Sequence, residues 1–184
     1  MNNISIETER LILRSMSRAD AAGPYLRWMR DPEILRYLEA RFLEFTEDGL
    51  AAYIERCNDD GTVMLLAICL KEDGTHIGNI KLGPSNGAHS RADVGFLIGD
   101  KGQWGKGFAP EAIDAVARHA FDQLRLHKVT AGIYEENTGS RRALAKAGFV
   151  EEGYRAEQYF CDGKWTGGIL VGRVAGRETE DMTA

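Results

Sequence analysis

The chain has 184 residues, 43% of them hydrophobic and 28% charged, the make-up of one soluble globular domain whose core needs neither metal nor disulfide staples. Its formal net charge of −5 argues against a nucleic-acid partner, which would want a basic face. Cys57, Cys69 and Cys161 are odd in number and widely spaced, which favours free thiols in a reducing cytoplasm, and His76, His89, His119 and His127 lack metal-ligand spacing, so no metal is expected.

Met1 to Arg10 shows no basic start followed by an apolar run, so no signal peptide is expected. Leu11 to Arg14 reads as a first strand. Ser17 and Asp20 fit a helix start that Gly23-Pro24 must break or delay, and Asp31-Pro32 is a second start, with an acid as cap and proline at the first helical position. Thr46 to Asp48 opens a third helix carried by Leu50, Ala51, Tyr53, Ile54 and Cys57. The period then changes. Val63 to Leu70 is a buried strand, too short to span a membrane, and Ile77 to Leu82 is its partner across a turn at Glu72 to Thr75.

After a loop at Pro84 to Gly87, Arg91 to Gly99 reads as a strand that runs into Trp104-Gly105-Lys106-Gly107-Phe108-Ala109-Pro110-Glu111. Ile113, Val116, Ala117, Ala120, Phe121 and Leu124 then mark a helix with one buried face, with Pro110 expected at its first position. A loop of low side-chain bulk at a helix start gathers backbone N–H groups and the positive end of the helix dipole, a place suited to a phosphate. It is not a P-loop, since no Lys-Ser or Lys-Thr pair follows the second glycine. Nor is it the dinucleotide fingerprint, since Pro110 stands where the third glycine would be.

Lys128 to Tyr134 is a further strand, followed by Asn137, Ser140 and a short helix with Ala143, Leu144 and Ala147 that ends at Gly148. Phe149 to Tyr159 and Trp165 to Val174 form a last hairpin turning at Cys161 to Lys164, and 177–184 is a polar tail after one domain spanning 1–176. This order describes an α+β fold: a mixed, mostly antiparallel sheet with helices on both faces.

Several stretches together resemble the GCN5-related N-acetyltransferase (GNAT) superfamily in its RimJ/RimL-like branch. They are Thr8-x-Arg10-Leu11-x-Leu13-Arg14, Trp28-x-x-Asp31-Pro32-Glu33 with Arg36-Tyr37-Leu38, Trp104 to Ala109, Asn137-x-x-Ser140, and Lys146 to Phe149 with Glu152-Gly153. The resemblance implies acetyl-CoA as acetyl donor. The N–H groups of Gly105, Lys106, Gly107, Phe108 and Ala109 would take the pyrophosphate, in the loop that begins at Trp104. The pantetheine arm would lie along Phe96, Leu97 and Ile98, in a splay between the fourth and fifth strands eased by Gly95 and Gly99. N–H groups near Leu97 and Ile98 would polarise the carbonyl, and Asn137 would bond the arm.

By the same resemblance Ser140 is the candidate proton donor to the departing thiolate, the alternative being a helix cap. Leu144 stands where some relatives carry a tyrosine acid, which leaves Tyr134 or Tyr159 to substitute. Asp93 and Glu157 are candidate general bases, with a water relay as the alternative. Trp28, Met29, Tyr37 and Tyr159 are candidate acceptor-binding residues, with the core as their other reading. The implied acceptor is an amine, either a protein N-terminus or a small amine such as an amino sugar or polyamine. A non-catalytic CoA-binding module is the competing class. A homodimer is implied as well, with no membrane partner.

Overall fold

The computed structural model describes residues 4–177, so all of the expected polar tail at 177–184 except its first residue lies outside the described residues. Its strands are β1 (Ser5–Glu7), β2 (Leu11–Ser15), β3 (Met64–Leu70), β4 (His76–Leu82), β5 (Arg91–Ile98), β6 (Lys128–Tyr134), β7 (Val150–Cys161) and β8 (Lys164–Val174). The helices are α1 (Pro24–Trp28), α2 (Pro32–Leu35), α3 (Glu47–Asp59), α4 (Phe108–Asp122) and α5 (Thr138–Lys146), with short 3₁₀ turns at Arg18–Ala21, Glu39–Phe42 and Lys101–Gln103. The eight strands form one sheet in the order β1-β2-β3-β4-β5-β6-β8-β7, antiparallel throughout except between β5 and β6. The α+β expectation holds, and β1 is a strand that the sequence pattern does not announce.

Both faces of the sheet are covered. Leu66 and Ile68 of β3 pack with Ile113 and Val116 of α4 and Leu144 of α5, while Leu65, Ala67 and Cys69 pack with Leu50 and Ile54 of α3 and Trp28 of α1. Because β3 is buried residue by residue, its apolar run is continuous rather than alternating. Ile113 and Ile54, each 0% exposed, contribute about 2 kcal/mol apiece by leaving water.

Local chemistry accounts for the element ends. Asp31 Oδ1 accepts from Glu33 N–H at 2.9 Å at the start of α2, and Thr46 Oγ1 accepts from Gly49 N–H at 3.1 Å at the start of α3. The helix expected from Ser17 is only the turn Arg18–Ala21, because Gly23 at φ +72° redirects the chain before Pro24 opens α1. Helix α4 begins at Phe108, so Pro110 is its third residue and not its first. It still costs no hydrogen bond, since the first four N–H groups of a helix have no partner within it. The β7–β8 turn has Asp162 at φ +51° and Gly163 at φ +79°, the left-handed pair that a two-residue hairpin requires.

One pairing positions everything that follows. Strands β5 and β6 pair in parallel only at Arg91↔Lys128, Ala92↔Val129 and Asp93↔Thr130, whereas β5 continues against β4 as far as Gly78↔Ile98. Beyond Asp93 the two strands part, which is the expected splay between the fourth and fifth strands once the short β1 is left out of the count. Gly99 is required by packing: a Cβ there would fall 2.0 Å from the Trp28 ring. At Gly95 an added Cβ meets nothing within 4 Å, so nothing in the structure calls for a glycine there.

Candidate active site

The parted strands open into a cleft of about 590 Å³. Phe96, Leu97 and Ile98 of β5 line it, together with Trp104, Gly105, Gly107, Phe108 and Ala109 from the glycine loop and the start of α4, and Asn137 and Ser140 from the start of α5. Glu33, Ile34, Arg36, Tyr37 and Leu38 form a further part of its wall. Of the expected cofactor-binding residues only Lys106 has its side chain elsewhere, on Gln103 Oε1 at 3.0 Å.

The glycine loop is shaped by two left-handed residues, Gly105 at φ +77° and Gly107 at φ +85°. Among the described residues, no backbone carbonyl accepts from the N–H groups of Gly105, Lys106 or Gly107. Those of Phe108 and Ala109 are in the first turn of α4, where no partner exists within the helix. Arg10 holds the loop from behind. Its Nη1 donates to the Lys106 carbonyl at 2.9 Å, its Nε to Glu111 Oε2 at 2.7 Å, and its guanidinium lies 4.6 Å from the Phe108 ring centroid. Glu111 Oε1 also accepts from Thr8 Oγ1 at 2.6 Å and Arg10 N–H at 2.8 Å. Burial alone would raise the Glu111 carboxyl, but these donors hold it below its ordinary value. Because a trans peptide places C=O and N–H on opposite sides, anchoring the Lys106 carbonyl on Arg10 turns the Gly107 N–H away from Arg10.

The edge of β5 is equally specific. Gly83 N–H bonds Asp93 O at 2.8 Å and Gly99 N–H bonds Ile77 O at 2.9 Å. The hydrogen-bonded pairs between β4 and β5 are therefore Lys81↔Gly95 and Asn79↔Leu97. The main-chain groups of Gly95 and Leu97 are spent on β4, and those of Phe96 and Ile98 face the splay. Of the two N–H groups expected to polarise a carbonyl, that of Ile98 faces the splay and that of Leu97 faces β4, while the neighbouring Phe96 N–H faces the splay. The Ile98 carbonyl accepts from Trp104 Nε1 at 2.7 Å.

Asn137, not Ser140, caps α5: its Oδ1 accepts from Ser140 N–H at 3.1 Å. That leaves the Ser140 hydroxyl, on the cleft wall, with no protein partner among the described residues. Leu144 is 1% exposed and packs in the core. The Tyr134 hydroxyl donates to Glu39 Oε1 and accepts from Arg41 Nη2 at 3.2 Å. Burial, and then the bond to Glu39, push it well above its ordinary value. Tyr159 stacks on Tyr134 with ring centroids 3.9 Å apart, and neither tyrosine lines the cleft.

Four further candidates stand outside the cleft. Asp93 Oδ1 accepts from Thr130 Oγ1 at the last rung before the splay, and Glu157 is exposed at a bulge of edge strand β7. Trp28 is buried against Gly99, its ring 5.0 Å from that of His76, and Met29 is 6% exposed on the other side of α2. Among the cleft residues to which the sequence pattern assigns no role are Arg142 and Lys146, four positions apart on α5, with no ion-pair partner among the described residues. Their spacing is visible in the sequence, but nothing in the pattern says which face of α5 turns to the slot. Among the described residues no cluster of His, Cys, Asp or Glu fits a metal ion, and no helix is long and apolar enough to cross a membrane.

An unpaired strand edge that runs from a row of donor N–H groups to an isolated hydroxyl fits a long ligand, anionic at one end and amide-bearing along its length, as a coenzyme A thioester is. Against known proteins, the family model described as Acetyltransferase (GNAT) domain matches residues 10–150, and the chain belongs to that family. It is 33% identical over 153 residues, 81% of this chain and 84% of the other, to a Bacillus licheniformis protein called uncharacterized N-acetyltransferase p20. It is 35% identical over 78 residues, 42% of this chain and 40% of the other, to the [ribosomal protein uS5]-alanine N-acetyltransferase of Escherichia coli. The fold is shared with the spermidine N-acetyltransferase from Vibrio cholerae solved in complex with CoA and spermine, with a TM-score of 0.80, 24% identity, and coverage of 91% of this chain and 96% of that one. The chain is an N-acetyltransferase of the GNAT family, whose fold uses acetyl-CoA.

Proposed function

We propose that the chain moves an acetyl group from acetyl-CoA to an α-amine at the N-terminus of a peptide or protein, by direct attack with both substrates bound. The observation that carries this reading is the splayed edge of β5 joined to the glycine loop. The loop N–H groups from Gly105 to Ala109 hold the pyrophosphate, Arg142 and Lys146 add positive charge along the cleft, and Phe96 and Ile98 offer main-chain groups to the amides of the arm. Acetyl-CoA supplies an activated acyl group and a thiolate as leaving group.

The chain's residues account for the rest. The Ile98 N–H, pointing into the splay, polarises a carbonyl placed beside it. Ser140 Oγ, free of protein partners among the described residues, gives its proton to the departing sulfur and is reprotonated from solvent. Among the described residues the sole carboxylate on the cleft wall is Glu33, and Lys101 Nζ holds it at 2.6 Å. Without a free carboxylate base, the acceptor best suited is an amine already partly neutral near pH 7. An α-amine with a pKa of about 7.7–8.0 meets that condition, and an alkyl ammonium such as a lysine side chain, at about 10.4, does not. A water relay then carries the amine proton away.

A panel of peptides with free N-termini, spermidine and an amino sugar, incubated with isotopically labelled acetyl-CoA and read by mass spectrometry, tests the proposal. Label on a peptide α-amine ahead of spermidine is expected; spermidine ahead of every peptide would overturn the acceptor reading.

A further inference from the structure

The cleft grips two halves of one ligand with two separate pieces of chain, and one side chain ties those pieces together. Trp104 is the residue that enters the glycine loop, and its indole N–H donates to the carbonyl of Ile98, the last residue of β5, at 2.7 Å. The bond spans the turn Lys101–Gln103, which is itself held by Asp100 Oδ1 accepting from Gly102 N–H at 2.9 Å. Trp104 is 43% exposed, so core packing does not explain a large aromatic there, and its ring lines the cleft. The bond also occupies the Ile98 carbonyl at the splayed edge, whereas the N–H and the C=O of Phe96 there both face the cleft without a partner in β4.

From this we infer that Trp104 is a positioning residue that fixes the spacing between the pyrophosphate loop and the arm-binding edge. The inference rests on the acetyl-CoA reading of the cleft. A ligand held at both ends gains affinity only while the two grips stay at the separation it spans. A tie between them raises the effective concentration of the second grip once the first is made. Without the indole N–H each grip still works, but the loop and the edge are no longer held in register, and only a ligand that touches both is weakened.

The test needs no turnover. Coenzyme A spans loop and edge, whereas adenosine 3′-phosphate 5′-diphosphate carries the nucleotide end with its full pyrophosphate and no arm. Trp104→Phe keeps an aromatic ring and removes the donor, at a position exposed enough to leave the fold intact, which the thermal midpoint of the unliganded protein checks. By calorimetry the variant is expected to bind coenzyme A about 5- to 10-fold more weakly, the loss of one hydrogen bond's worth of affinity, and adenosine 3′-phosphate 5′-diphosphate as tightly as the wild type does. Equal losses for both ligands would make Trp104 part of the loop's own shape and overturn the inference, as would no loss for either. A wild-type protein that binds neither ligand would overturn the acetyl-CoA reading and the inference with it.

Discussion

Arg10 and Glu111, 101 positions apart, meet in an ion pair of 2.6 Å that joins the start of β2 to the first turn of α4. The same guanidinium grips the Lys106 carbonyl, so one side chain sets both the helix that ends the glycine loop and the orientation of the loop's peptide groups. As a stabiliser the pair is modest, because the Arg10 side chain is 44% exposed and a pair of that exposure contributes about 1 kcal/mol or less. Its weight falls on the loop.

Replacing Arg10 by methionine should therefore separate affinity from stability. We expect the KM for acetyl-CoA to rise about 10-fold, as charged hydrogen bonds that order the loop are lost, with the unfolding midpoint in urea nearly unchanged. A fall in kcat with KM intact would contradict this role.

Acid should loosen the same contact. Glu111 is held below its ordinary carboxyl value in the folded protein, so its contribution is fully present above about pH 4.3 and fades as pH falls through the depressed folded value. Asp20 behaves likewise and more strongly. Burial alone would raise it, but Arg14 and Ser17 hold it at about 2, so its share of stability is lost between about pH 4 and pH 2. Asp20→Asn should remove that part of the acid slope and cost on the order of 2 kcal/mol at pH 7 by denaturant titration. An acid slope identical to the wild type's would count against it.

Ser140 and Asn137 make opposite predictions although they share a turn. Ser140→Ala should lower kcat about 100-fold and leave both the thermal midpoint and coenzyme A affinity in place, because the cap of α5 is Asn137. Asn137→Ala should cost about 1 kcal/mol of stability. Activity retained in the serine variant would remove it from the mechanism.

Glycine is required at two places for different reasons. At Gly107, φ +85° rejects a β-branched residue, so Gly107→Val should abolish coenzyme A binding. At Gly99 the obstacle is the Trp28 ring, 2.0 Å from where an added methyl would sit, and Gly99→Ala should destabilise the protein by about 1–3 kcal/mol in urea titration. Wild-type coenzyme A affinity in the first variant, or an unchanged midpoint in the second, would contradict these readings.

What can be read in the chain beforehand is whatever local pattern decides. The Gly105-x-Gly107 loop, the apolar stripe of α4 from Ile113 to Phe121 and the turn at Asp162-Gly163 each carry their cause within a few residues, and each is where the pattern puts it; Leu124, expected on the same buried face, lies beyond the helix end at Asp122 and is exposed. The Arg10–Glu111 pair carries no local signal, since it exists only once β2 lies beside α4. The choice of Phe96 over Leu97 is equally hidden, because it depends on the register of β5 against β4, and a shift of one residue exchanges the two edges. Trp28 is an aromatic on a short helix, and only the missing side chain of Gly99 makes it a core residue rather than an acceptor contact.

The most direct measurement is amide hydrogen exchange by NMR with and without coenzyme A. The account predicts new protection at Phe96, Ile98, Gly105 and Gly107, and none at Leu97 and Gly95, whose N–H groups are already bonded to β4. Protection that leaves Phe96, Ile98 and the glycine loop unchanged would contradict it.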